Sequence, residues 1–282
     1  MVAFPLAVLA AFVLLPTLLG LSLSFFEWDG GRNAPVFVGL RQYRLLFSAD
    51  PAFAWATLNT VVFVVASVPV TVAAAFLVAV AVHARWFRGR AIARTLLFMP
   101  TIVSLAAVGF VWRWILDAQA GVLSWAVRGV ATPPDWLHEG YWALASIVVV
   151  SIWRNIGFCL VLYLAALGNV SHSLYEAAAL DGATRSRTIR SVTWPAVAPM
   201  TTFLLVTQTI SALQVFELVF VLTGQQETDH TSVLNLLVYR EFIRGELGYA
   251  AAIGGVIFAL TALATAAQLL FRRRASAGGG AA

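Results

Sequence analysis

The sequence predicts an all-α integral membrane protein, on three grounds: its composition, its long uncharged stretches and the distribution of its arginines. Of the 282 residues, 61% are apolar and only 11% are charged, and the mean hydropathy is +0.86. Soluble domains typically carry about 25% charged residues, so this chain is too apolar to be one. We expect a single transmembrane domain over residues 1–271, built from about six membrane-spanning helices.

Six apolar stretches supply the predicted spans. A helix needs roughly 20 apolar residues to cross the hydrocarbon core of a bilayer. The third stretch is at the lower limit of that length, and the fourth is interrupted by Arg154. The first begins at Met1 without the charged start of a secretory signal, so we expect it to be a retained span. The predicted spans are about 2–25, 57–82, 95–116, 141–164, 196–222 and 247–271.

The arginines orient these spans. Cytoplasmic loops close to span ends are enriched in basic residues, and all 18 basic residues here are arginine. Ten arginines fall on one predicted side and six on the other. The first set is Arg85, Arg88, Arg90, Arg94, Arg185, Arg187, Arg190, Arg272, Arg273 and Arg274, and the second is Arg32, Arg41, Arg44, Arg128, Arg240 and Arg244. We therefore expect both termini, a loop at 168–195 and a tail at 272–282 to be cytoplasmic.

The loop at 168–195 contains a short helix with its own start and stop signals. Ser173 and Glu176 have the spacing of a capping box, in which a hydroxyl and a carboxylate each accept a hydrogen bond from a free backbone N–H. Gly182 suits the left-handed residue that ends a helix. These signals predict a helix over about Leu174–Asp181. Its three consecutive alanines have little bulk, so a partner could approach it closely.

This segment closely resembles the EAA loop in the permease subunits of binding-protein-dependent ABC importers. Two positions depart from the family pattern, with Val192 in place of Ile and Trp194 in place of Leu. A second, weaker resemblance to carbohydrate permeases lies in the outer loop at Phe37–Phe53. The positions that correspond to the EAA pattern are Glu176, Ala177, Ala178, Gly182, Val192, Trp194 and Pro195. The extended carbohydrate form matches from Glu176 to Ala183 except at Leu180.

The resemblance implies a role and a set of partners. It implies a permease subunit in a bacterial cytoplasmic (inner) membrane that moves a sugar or related polyol and has no catalytic residues. Its partners would be a second homologous permease, an ABC ATPase dimer, an extracytoplasmic substrate-binding protein and the lipid bilayer. The helix would dock into a groove on the ATPase. The implied docking residues are Glu176, Ala177, Ala178, Ala179, Asp181 and Gly182.

The fifth predicted span carries the polar residues that best suit a substrate pathway. Polar groups are costly inside a bilayer and usually face the protein interior or water. Gln208, Ser211, Gln214 and Glu217 recur at three-residue spacing, which places them near one face of a helix. They could line a passage for a sugar or form hydrogen bonds between helices. Arg154 is either a packing residue or a cavity residue, and we favour packing, with Glu217 or a partner chain as its counter-charge.

Several other functions are excluded or disfavoured by residue content. Without lysine the chain has no P-loop lysine and cannot bind ATP through a Walker motif. If transport is driven by ATP, another polypeptide must hydrolyse it. A single cysteine, Cys159, and four scattered histidines give no metal site, and we expect no cofactor and no nucleic-acid partner. A self-sufficient secondary transporter or channel remains the alternative, although no repeat is seen. An intramembrane hydrolase is weaker still, because no histidine lies deep in a span.

Overall fold

The computed structural model is almost entirely helical and describes residues 3–31, 34–84, 89–224, 226 and 228–278. Arginines 32, 85 and 88 of the orientation argument lie outside these residues. The only sheet in the described part is an antiparallel pair, β1 (Phe26–Glu27) and β2 (Val36–Phe37). The helices are α1 (Ala3–Leu9), α2 (Leu15–Leu23), α3 (Arg41–Ala49), α4 (Pro51–His83), α5 (Arg90–Ile102), α6 (Leu105–Ile115), α7 (Val122–Val127), α8 (Gly140–Gly168), α9 (His172–Leu180), α10 (Arg185–Thr188), α11 (Trp194–Leu213), α12 (Glu217–Thr223), α13 (Leu234–Arg244) and α14 (Leu247–Gly278).

Five helical stretches of the described chain are long and apolar enough to cross a membrane. They are Ala3–Leu23, Pro51–His83, Gly140–Gly168, Arg185–Leu213 and Leu247–Arg272. A sixth crossing is supplied if α5 and α6 together form one span. The predicted count of about six agrees with this arrangement. α14 continues to Gly278, so the first part of the predicted tail is helical.

The third predicted span, 95–116, is not one continuous helix. α5 and α6 meet at an angle of 99°, because Val103 and Ser104 both adopt extended backbone angles. The Ser104 hydroxyl then accepts a hydrogen bond from the Ala107 N–H at 3.2 Å and caps α6. A serine cap after extended residues restarts the helix in a new direction.

The helical stretch at the fifth predicted span, 196–222, has different bounds from that span. Its helical stretch begins at Arg185 and stops at Leu213. Residues 214–216 are irregular, and α12 begins at Glu217. The break matters for function because it falls among the predicted pathway residues.

Two widened turns of π-helix each end two positions before a proline. They are Ala10–Leu14, ahead of Pro16, and Ile189–Thr193, ahead of Pro195. A proline ring clashes with the carbonyl four residues back and donates no hydrogen bond. A π turn shifts the hydrogen-bond pattern at that point, which lets each span continue through its proline.

The core is built around α4 and α8, with α5 and α11 packed against them. Small residues allow the closest approach. A Cβ on Gly157 of α8 would lie 2.1 Å from the Leu97 carbonyl oxygen of α5. Tyr163 is completely buried, and its hydroxyl donates to Thr201 Oγ1 of α11 at 3.0 Å. This central group of helices holds the residues of the candidate cavity.

Side-chain hydrogen bonds connect the loop before α13, and the start of α4, to the long helices at the end opposite α9. Asn59 of α4 donates to the carbonyl oxygens of Asp229 and Ser232, at 2.6 and 2.8 Å. Tyr249 of α14 donates to Asp50 Oδ2 at 2.5 Å. These bonds fix the loop before α13 and the start of α4.

Candidate functional site

The helix predicted in the loop at 168–195 is present, but it starts differently. α9 begins at His172 rather than Leu174, with Ser171 as the residue before it and no side-chain cap. The predicted capping box is wrong. Ser173 Oγ lies 2.7 Å from Ser171 Oγ, and Glu176 Oε1 lies 3.0 Å from His172 Nδ1. Because the helix starts earlier, Glu176 is one full turn inside it and pairs with the residue four positions before it.

The end of α9 follows the sequence prediction. Gly182 has a φ of +68°, and its N–H donates to the Ala179 carbonyl at 3.1 Å. The Ala183 N–H donates to the Ala178 carbonyl at 2.9 Å. This is the pair of bonds of a Schellman motif, which favours glycine at the left-handed position. A Cβ at Gly182 would meet no atom within 4 Å, so the backbone angle alone requires glycine here.

α9 offers most of its surface to the outside. Five of the six predicted docking residues are exposed, whereas Ala178 is 9% exposed and faces inwards. Leu180 is 90% exposed. An apolar side chain this exposed at the end of a small-residue helix leaves a surface that a partner could cover. The docking role of these residues stays a prediction.

A cavity of about 710 Å³ lies between α9 and the ends of the long helices. Its wall includes His83 and Ala84 from α4 and its following residue, Leu167 from α8, and Tyr175 and Glu176 from α9. The cavity therefore separates α9 from the ends of the long helices. One contact bridges the two parts: Thr193, the residue before α11, places its Oγ1 3.5 Å from the Tyr175 hydroxyl.

A second cavity, of about 330 Å³, brings the predicted pathway residues together. It lies at the middle of two long helices: Arg154 is 14 residues from either end of α8, and Ser67 is 16 residues from either end of α4. Its polar lining is Ser67, Thr71, Ser151, Arg154, Asn155, Gln208, Ser211, Gln214 and Glu217. All four predicted pathway residues are included.

Contrary to our expectation, the four predicted pathway residues do not lie on one face of a single helix. Only Gln208 and Ser211 lie on α11; Gln214 follows its last residue and Glu217 opens α12. The three-residue spacing does not continue along one helix. The irregular backbone at 214–216 instead turns the chain so that Gln214 and Glu217 remain at the cavity. Gln208 is 8% exposed, while the other three are exposed.

Arg154 has the cavity position that was the alternative to the packing role that we favoured. It lines the cavity, and its Nε is buried without a hydrogen-bond partner. Glu217 lines the same cavity, yet no ion pair joins the two among the described residues. Sequence reasoning missed Ser67, Thr71 and Ser151, because single hydroxyls in apolar helices are too common to indicate a cavity.

Comparisons with known proteins agree over almost the whole chain. Residues 46–277 match the family described as "Binding-protein-dependent transport system inner membrane component". A lactose transport system permease protein, LacF of Rhizobium radiobacter, is 31% identical over 96% of this chain and 92% of its own. An sn-glycerol-3-phosphate transport system permease protein, UgpA of Brucella abortus, is 31% identical over 96% of each chain.

The fold is also shared with a solved structure. A chain of a bacterial ABC transporter involved in the import of the acidic polysaccharide alginate superposes with a TM-score of 0.82. The match covers 97% of this chain and 94% of that one, at 23% sequence identity. A further structure shows the bacterial alginate ABC transporter in complex with an alginate pentasaccharide-bound periplasmic protein.

Proposed function

The chain belongs to the family of inner membrane components of binding-protein-dependent transport systems, and we propose on this premise that it is the permease subunit of an ATP-driven importer for a sugar or related polyol. Lactose, diacetylchitobiose and trehalose/maltose systems are among its relatives, as are glycerol-phosphate systems. Such a subunit transports and does not hydrolyse ATP. A self-sufficient transporter is not favoured.

The polar cavity is the observation that carries this proposal. It lies at mid-helix depth, and Ser211, Gln214 and Glu217 are exposed at its edge. Polar and charged side chains at that depth do not face lipid. A second permease packed against this edge would cover them and close the other half of a pathway. Gln208, Ser211, Gln214 and Glu217 would then line the route of the substrate.

The helix α9 is the proposed contact with the ATPase. Its alanines leave little bulk, Leu180 is exposed, and the cavity behind it separates it from the long helices. A helix held in this way can enter a groove on a partner and transmit the partner's motion. The docking surface would comprise Glu176, Ala177, Ala179, Asp181 and Gly182, with Ala178 supporting it from within.

The remaining partners and the orientation follow from the same proposal. The end of the molecule that carries α9 is cytoplasmic, where ATP is found, and both termini lie on that side of the inner membrane. The opposite end, with α3, α7 and α13, meets an extracytoplasmic substrate-binding protein. The excess of arginine on the α9 side supports this orientation.

Blocking the proposed docking surface tests this function. Glu176→Lys and Gly182→Trp should abolish substrate uptake and the co-purification of the ATPase, while the chain still inserts in the membrane. The reason is that reversed charge or added bulk would prevent α9 from entering a groove. The measurement is ATPase recovered per permease, together with uptake in cells.

Gly39→Trp is the matched control. Gly39 also has a positive φ, +57°, and a Cβ there would likewise meet no atom within 4 Å. It lies at the opposite end of the molecule, so we expect ATPase recovery to be unchanged. Normal ATPase recovery in both α9 variants would refute the docking proposal.

A further inference from the structure

The mid-membrane cavity contains two charged side chains of opposite sign. They are Arg154 from α8 and Glu217 from α12, and every other polar side chain that lines the cavity is a neutral hydroxyl or amide. The charge that this chain contributes to the cavity is therefore balanced. A site built for a phosphate or carboxylate would be expected to carry a net positive charge.

Both charged groups have hydrogen-bonding capacity that the described residues do not use. The buried Nε of Arg154 finds no acceptor, although Arg154 and Glu217 border one cavity of about 330 Å³. No ion pair between them occurs in the described part of the chain. Leaving a buried donor unpaired is costly. The space between the two groups is thus the place where a ligand would satisfy a guanidinium donor and a carboxylate acceptor together.

The chemistry of the two groups selects between ligand classes. A sugar hydroxyl both accepts and donates a hydrogen bond, so neighbouring hydroxyls can accept from Arg154 and donate to Glu217. An ionised phosphate or carboxylate can only accept, and its charge would be repelled by Glu217 at low dielectric. We propose that Arg154 and Glu217 together bind the substrate, an inference that rests on the function proposed above. This pair selects neutral, hydroxyl-rich sugars over anionic ones.

Uptake by cells that produce the complete transporter, with its own ATPase and binding protein, tests the ligand class. The probes are radiolabelled lactose, diacetylchitobiose, trehalose and sn-glycerol 3-phosphate. We expect uptake of at least one neutral sugar and none of the glycerol phosphate. Uptake of glycerol phosphate alone, or of none of the four, would overturn this inference. The proposed function would survive either result as long as the ATPase still co-purifies.

Variants of the two residues test the assignment of the pair. With the neutral sugar that is taken up best, Arg154→Gln and Glu217→Gln should each reduce uptake at least tenfold at unchanged recovery of the ATPase. Arg154→Lys should retain part of the uptake, because lysine keeps the charge but lacks the planar donor fork. Arg94→Gln, at an exposed position of α5 outside both cavities, should transport normally. Uptake equal to wild type in either Gln variant at the cavity would refute the proposal, as would a loss fully explained by loss of the assembled complex.

Discussion

The first and fourth spans are both apolar enough to cross a membrane, yet they occupy opposite environments. None of the most apolar window of Ala3–Leu23 is buried in the protein, whereas half of the corresponding window of Gly140–Gly168 is. The hydroxyls of Thr17 and Ser22 bond to carbonyls of their own helix. Arg154 and Asn155, by contrast, border the cavity. Apolarity therefore shows that a helix can cross, and only its polar side chains and small residues show what it faces.

The difference also assigns separate roles to the two spans. The first span packs mainly against α14 and is tied at its end by Tyr43, whose hydroxyl donates to Ser24 Oγ at 2.9 Å. None of its residues lines the cavity. The fourth span contacts α4, α5 and α11. A change in its packing should therefore shift the other helices that line the cavity.

Matched glycines give the largest expected contrast between the two spans. Gly157→Ala in α8 should sharply reduce the yield of assembled complex, because the new Cβ would lie 2.1 Å from the Leu97 carbonyl oxygen and 2.9 Å from Phe98 Cα. Overpacking of this kind lowers stability by about 1–3 kcal/mol or more. The clash is with backbone atoms, which cannot change rotamer to relieve it. Size-exclusion chromatography in detergent measures the yield.

Gly20→Ala in the first span is the control for this experiment. A Cβ at Gly20 would meet no atom within 4 Å, and alanine favours a helix over glycine by about 1 kcal/mol. We expect wild-type yield. Equal yields for the two variants would remove the distinction between the spans.

A smaller effect, on transport rather than assembly, should follow from Gln208→Leu. Gln208 is nearly buried and lines the cavity from α11. If it binds a ligand hydroxyl, its loss should weaken the bound state by roughly 1–3 kcal/mol. The measurement is uptake divided by co-purified ATPase. Thr17→Val in the first span should leave this ratio unchanged, and a normal ratio for Gln208→Leu would show that the residue only packs.

The smallest effect is expected from Tyr163→Phe. The Tyr163 hydroxyl donates to Thr201 Oγ1, which can still donate to the Val197 carbonyl at 3.2 Å when the tyrosine hydroxyl is gone. Side-chain hydrogen bonds between membrane helices contribute about 0.6 kcal/mol on average. Thermal unfolding of the detergent-solubilised complex should shift only slightly. A large destabilisation would mean that this bond, rather than close packing, joins α8 to α11.

The sequence predicted about six membrane crossings and the left-handed end of α9, because those signals are local. Stretch length defined the membrane crossings, and Gly182 marked the stop. The start of α9 was misjudged, because Ser173 and Glu176 have the spacing of a capping box but lie inside the helix, where they contact Ser171 and His172. The bends after Ile102 and Leu213 were missed because both breaks are apolar or neutral in composition and carry no loop signal.

The sequence predicted which residues of span five line the cavity, but only part of the reason why they do. Periodicity grouped Gln208, Ser211 and Gln214 as if on one uninterrupted helix. The contribution of α4 and α8 could not be derived, because Ser67 and Arg154 are brought to the cavity by helix packing between residues more than 80 positions apart in the chain. Arg154 alone carried a signal, as a charge at the centre of a span.

The break at residues 214–216 also sets how thick a barrier the protein presents to a solute. Irregular backbone at membrane depth is tolerated only where protein encloses it or where it lines a cavity filled with water. Gln214 is exposed at the edge of the cavity, so the break lies beside the cavity rather than among lipid. Under the proposed function, a solute is then blocked only by the protein that separates the cavity from each face of the membrane. A conformational change needs to seal and open only that short distance.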